Sequence, residues 1–248
     1  MLKIKSYRQI LLLAILTLIA VLACSRPIKP KSEFITIKLG DRTFTRYFDL
    51  MPKVDFEGDE SIRLADFIDS VVTEHPQIYA YRVIGSDGFY AALKGSPDNT
   101  WEHMQKGYLK LSNRMSTFES SLGLMGRYYV KDVASIELLR KIDVKLGAEK
   151  DTTFLISEME TAIYVDPQDG FYNGRFGIKL SDFIEPFVSN PDDYAYDLVS
   201  LQGDRQTFSW AEIQTGWWLV DLDVTKFHPD LGPDSKMFFL LTIEVTPN

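Results

Sequence analysis

The sequence predicts an α+β fold: two tandem copies of a small mixed-sheet domain, each with one amphipathic helix and one short capped helix, after a signal peptide. Three observations carry this expectation. Two stretches of the chain resemble each other in order, apolar residues recur at helical spacing at the same place in each, and short aromatic and β-branched runs end in turn signals.

The self-similarity begins with Ile62-Arg63-Leu64-Ala65-Asp66-Phe67-Ile68, which returns as Ile178-Lys179-Leu180-Ser181-Asp182-Phe183-Ile184. Tyr79-Ala80-Tyr81 returns as Tyr194-Ala195-Tyr196, and Thr100-Trp101 through Gly107-Tyr108 returns as Ser209-Trp210 through Gly216-Trp217. Order is kept throughout, so the expected organisation is a first repeat over 34–147 and a second over 152–248, joined at Gly147-Ala148-Glu149-Lys150-Asp151.

Within each repeat, Leu64, Phe67, Ile68, Val71 and Val72, and likewise Leu180, Phe183, Ile184, Phe187 and Val188, fall at i, i+3, i+4, i+7 and i+8, the spacing of one helix face. Tyr79–Ile84 and Tyr194–Val199 read as strands, closed by turns at Asp87-Gly88 and Gln202-Gly203. Thr100 and Ser209 stand where N-caps belong, the second with Glu212 three residues on, and Gly107 and Gly216 suit left-handed C-terminal caps. Trp101 and Trp210, in the first turns, are expected to fill the core. Ile35, Ile37 and Leu39, then Gly40-Asp41, then Thr43–Phe48 read as a hairpin. Val220, Leu222 and Val224 alternate with Asp221 and Asp223, which predicts a strand whose aspartates face solvent.

The N-terminus addresses location. Lys3, Lys5 and Arg8 precede an apolar run from Ile10 to Ala23 that stops at Cys24, the single cysteine of the chain. A charged segment, an apolar segment and a small residue before the cut describe a signal peptide over 1–23. Val21-Leu22-Ala23-Cys24 resembles the lipobox of bacterial lipoproteins, which implies lipidation of Cys24, a lipid-bearing tether over 24–33 and attachment to the membrane through Cys24. The expected location is the cell envelope; Ser25 after the cysteine implies, in a Gram-negative host, the outer membrane facing the periplasm.

Composition restricts the chemistry. The formal charge is −8, and the leader takes three cations with it, leaving −11 on the mature chain. An acidic surface of this kind lacks the basic footprint that nucleic acid requires. With no cysteine beyond Cys24 there is no intramolecular disulfide, zinc-thiolate site or cysteine nucleophile. His75, His103 and His228 do not pair at metal-ligand spacing, and no acidic cluster fits a calcium loop. No metal, cofactor or catalytic constellation is therefore expected.

Leu64-Ala65-Asp66-Phe67-Ile68, the turn Gly85-Ser86-Asp87-Gly88-Phe89-Tyr90, and Gly126-Arg127-Tyr128-Tyr129-Val130-Lys131-Asp132-Val133 followed by Ile136-Glu137-Leu138 resemble the oxidoreductase molybdopterin-binding domain of the sulfite oxidase family. The resemblance implies a degenerate, cofactor-free relative, because the cysteine thiolate that holds molybdenum in that family has no counterpart here.

The remaining expectation is recognition. Aromatic residues make up 13% of the chain, and the cleft between the repeats is the default place for a ligand or partner. Arg82, Asp87, Tyr90, Arg127 and Lys131 are the ligand-binding candidates. The expected role is a non-catalytic binding or accessory subunit docking another envelope protein, with a small-molecule ligand as a further option. The alternative is an oxidoreductase subunit that holds molybdopterin or another small cofactor without a cysteine ligand.

Overall fold

Ile35 and Ile37, both fully buried, alternate with exposed or half-buried neighbours along β1 (Phe34–Leu39), and Gly40 at φ +54° turns the chain into β2 (Arg42–Tyr47). This hairpin opens the computed structural model, which describes residues 33–91, 99–124, 126–147, 150–165, 170–227 and 235–248. The strands β3 (Val54–Phe56), β4 (Asp59–Arg63), β5 (Tyr79–Gly85), β6 (Gly107–Lys110) and β7 (Met115–Phe118) follow, with helix α1 (Trp101–Gln105) before β6. Then comes β8 (Val133–Leu146), a 14-residue strand. Beyond it lie β9 (Lys150–Leu155), β10 (Ala162–Ile163), β11 (Phe176–Lys179), β12 (Tyr194–Ser200), β13 (Arg205–Phe208), helix α2 (Trp210–Ile213), β14 (Trp217–Leu219), β15 (Val224–Lys226) and β16 (Leu240–Pro247).

β8 serves both halves. Its first part pairs with β1 in parallel and with β5 antiparallel; its last part pairs antiparallel with β9 and in parallel with β16, itself bonded to β12. One large sheet thus crosses the molecule, and each half adds a four-stranded sheet: β3-β4-β6-β7 in the first and β10-β11-β14-β15 in the second. A core sits in each half, one around Ile62, Leu64, Phe67 and Ile136, the other around Ile178, Leu180, Phe183 and Ile243.

Small contacts recur at matching points. The hydroxyls of Tyr81 and Tyr196 donate to Pro76 and Pro191 carbonyls at 2.6 and 2.7 Å, and their rings lie 5.8 and 5.7 Å from Trp101 and Trp210. A Cβ on Gly107 would come within 2.7 Å of Leu64 and 2.8 Å of Phe118; on Gly216 it would come within 2.6 Å of Leu180 and 2.7 Å of Phe227.

The expected α+β fold does not form. Sixteen strands and two α-helices of four or five residues are formed among the described residues, so the fold is mostly β. The two segments read as amphipathic helices are 3-10 turns, Leu64–Phe67 and Leu180–Phe183. Their apolar spacing does mark burial, since Leu64, Phe67, Ile68 and Val72 are all inside, but Val71 is 63% exposed. In the first, the Asp69 carboxylate accepts from the Val71 and Val72 N–H groups, which diverts the backbone from a helical ladder. In the second, Pro186 interrupts the run and disfavours helical geometry at Glu185. Gly107 and Gly216 are not left-handed caps; they are glycine because neighbouring side chains occupy the space of a Cβ. Of the Val220–Val224 run, residues 220–223 form a turn between β14 and β15, with Asp223 at φ +48°, and Val224 opens β15.

Candidate functional site

Where β8 passes from the first half to the second, a cavity of about 850 Å³ opens. Its wall comes from both halves: Leu39 and Gly40 of the first hairpin, Thr73, His75, Ile78 and Tyr79, Glu137 to Arg140 of β8, Ile156, Ser157, Met159 and Thr161, Trp218 with the β14–β15 turn, and Phe239. Pockets of roughly 300–1,000 Å³ are those that take small molecules or peptide side chains.

Arg140 forms the ionic centre of the groove. Its Nε and Nη2 donate to the two carboxylate oxygens of Asp223, both at 2.8 Å, with the side chains 13% and 16% exposed. The Trp218 indole N–H donates to Asp223 at 3.0 Å, and the guanidinium lies 5.2 Å from the centre of the Trp218 ring. Arg140 also donates to the carbonyls of Leu240 at 2.6 Å, Ile78 at 3.3 Å and Lys141. A planar donor fork matched to a carboxylate is the geometry in which an arginine is held most firmly.

The first half does the equivalent work with Arg114, which donates to the carbonyls of Val133 at 2.8 Å and Phe34 at 3.3 Å. Arg114 stands in its turn at φ +55°, as Asp223 does in the second at φ +48°. At the point where the first half has a cation, the second has an anion that recruits one from β8.

Around this centre, Tyr79 carries a hydroxyl that burial pushes above the ordinary phenol range, against the Thr73 hydrogen bond and the Arg140 charge, which pull it down. The His75 and Phe239 rings face each other at 4.6 Å. Asp221 is paired with Arg175 at 2.6 Å. Of the carboxylates on the wall, Asp223 is taken up by Arg140 and Asp221 by Arg175; Glu137 is the third.

The residues singled out from sequence lie elsewhere. Arg82, Asp87 and Tyr90 gather at the end of β5: Arg82 is paired with Glu158 at 3.0 Å and its guanidinium lies 5.0 Å from the Tyr90 ring centre, while Asp87 accepts from the Phe89 N–H at 2.9 Å. Asp87, Tyr90 and Lys131 are exposed, and none of Arg82, Asp87, Tyr90 and Lys131 lines the groove. The side chain of Arg127, the signal peptide, Cys24 with the tether up to residue 32, and His228 lie outside the described residues. Asp223, expected to face solvent, is the partner of Arg140. The available signal was Arg140 itself, a cation among Leu138, Leu139 and Ile142 in a strand, since a charge in such company needs a partner.

Among the described residues no three metal-ligating side chains converge, and no helix is long and apolar enough to cross a membrane. Compared with family models, curated proteins and solved structures, the chain matches none.

Proposed function

We propose that this chain is a lipid-anchored envelope protein whose globular part works by binding, with the groove between its halves as the seat of a ligand or of a segment of another envelope protein. The supporting observation is the state of the groove's ionic centre. Arg140 is held by a carboxylate and three carbonyls, so the wall has a rigid charged floor with its donors already engaged. Such a floor is fixed in position and shapes the groove above it. Ile78, Ile156, Met159 and Leu222 supply apolar contact around it. The lipobox-like segment ending at Cys24 supports the anchor.

Photo-crosslinking in the host tests the reading. A photoreactive residue at Leu222 or Thr161, on the groove, is expected to capture the occupant, and one at Asp87 is not. Capture from Asp87 alone would transfer the site to the end of β5.

A further inference from the structure

The two halves carry an internal comparison at their outer hairpins. In the first, Asp55 of β3 faces Glu60 of β4 across the ladder; in the second, Ile163 of β10 faces Phe176 of β11 in the same register. The next outward residue is Glu57 in the first half and Val165 in the second. Asp55, Glu57 and Glu60 are exposed, and so are Ile163 (59%), Val165 (70%) and Phe176 (59%). The fold therefore accepts carboxylates at these points, and the second half places large apolar groups in water where the first places charge. β3 and β10 are both edge strands. Charge along an edge is the usual protection against pairing with another chain, and the two residues of β10, Ala162 and Ile163, carry none.

The backbone of β10 is directed outward as well. The Tyr164 N–H donates to the Arg175 carbonyl and its own carbonyl accepts from the Gly174 N–H, both at 2.8 Å, so Tyr164 bonds inward to the hairpin. By the alternation of an antiparallel ladder, the N–H and C=O groups of Ile163 and Val165 point away from β11.

We infer that the β10 edge is a self-association surface whose occupant is the β10 edge of a second copy, paired antiparallel about Tyr164. In that register Ile163 of one copy opposes Val165 of the other, each exchanging both backbone bonds, and the apolar side chains cover one another. The pair that meets, Ile163 and Val165, is uncharged; in the same arrangement β3 would set Asp55 against Glu57, like charges that repel. Three apolar side chains per copy make a patch smaller than the roughly 800 Å² per partner of a standard interface, so the dimer is weak in dilute solution and favoured where both copies are held on one surface. The inference does not depend on the groove.

Sedimentation equilibrium of the full chain in detergent, over a wide concentration range, tests it. The wild type is expected to show a reversible monomer–dimer equilibrium. The double variant Ile163→Asp, Phe176→Glu, which installs the first half's own residues, is expected to weaken dimerisation at least about tenfold with an unchanged melting temperature. Ile163→Lys serves as a second disruption. The converse variant Asp55→Ile, Glu60→Phe is expected to create a second adhesive edge and assemblies larger than the dimer. A wild type that stays monomeric throughout, or a dimer indifferent to Ile163 and Phe176, overturns the inference.

Discussion

Arg140 and Asp223, 83 positions apart, meet through two hydrogen bonds of 2.8 Å at the point where β8 leaves one half of the molecule for the other. The pair stands on the wall of the groove and ties the shared strand to the β14–β15 turn, so fold and candidate site depend on the same contact.

Removing one partner leaves the other charge in a low-dielectric setting. Arg140→Ala is expected to cost about 3 kcal/mol of stability, as is typical for a broken buried pair. Asp223→Ala is expected to cost a similar amount, and the double variant less than the sum, because their effects share one interaction. Chemical denaturation of the four proteins checks this; additive losses would mean that the two groups act separately.

Gly107→Ala and Gly216→Ala should each destabilise by about 1–3 kcal/mol, because the new methyl group meets side chains at 2.6 to 2.8 Å in both cores. Thermal melting decides. An unchanged midpoint in either variant would show that the leucine and phenylalanine beside that glycine can move aside.

Burial pushes the Tyr196 hydroxyl up to about 12 and that of Tyr81 further in the same direction, with neighbouring Asp192 and Tyr79 respectively as lesser causes. A folded-state value above the unfolded value near 10 favours the neutral form in the native protein, so this contribution to stability is complete below about pH 10 and is lost as pH rises through about 12. Denaturation between pH 9 and pH 12 should show falling stability, and Tyr196→Phe should flatten part of that fall while costing about 1 kcal/mol at neutral pH through the lost bond to Pro191. A slope unaffected by both Tyr81→Phe and Tyr196→Phe would contradict it.

His103 titrates in the opposite sense. Burial lowers its value, against the raising effect of Glu102, and its Nδ1 accepts from the Thr100 N–H at 3.3 Å to close the cap of α1. The neutral ring is the native form, so the stability it confers is present above about pH 6.5 and is lost as pH falls through the depressed folded value. The wild type is expected to lose stability on acidification in this range more steeply than His103→Gln, by urea denaturation at successive pH values; parallel curves would remove the histidine from the cap.

Much of the local structure is legible because its causes are local. Gly40-Asp41 sits between two strand-like runs and makes the first hairpin, and Thr100 and Ser209 cap helices that begin at Trp101 and Trp210. The 3-10 turns mislead because their apolar residues are buried at the same spacing that a helix would use, and the contrary signals, Asp69 and Pro186, are single residues within strongly periodic stretches. The role of β8 is not local at all. Its partners β1 and β16 lie about a hundred residues away on either side, so the sequence around 147 reads as a joint when the strand before it belongs to both halves. Asp223 was hidden for a related reason: alternation assigned it to solvent, while a left-handed turn directs it to an arginine on a strand that no nearby residue reveals.

Native mass spectrometry of the protein isolated from its own host envelope tests the account most directly. The mass should correspond to a chain beginning at an acylated Cys24, carrying a bound species that is absent from the Thr161→Trp variant, whose indole fills the groove. A chain beginning at an unmodified Met1, or a bound species retained in Thr161→Trp, would contradict the account.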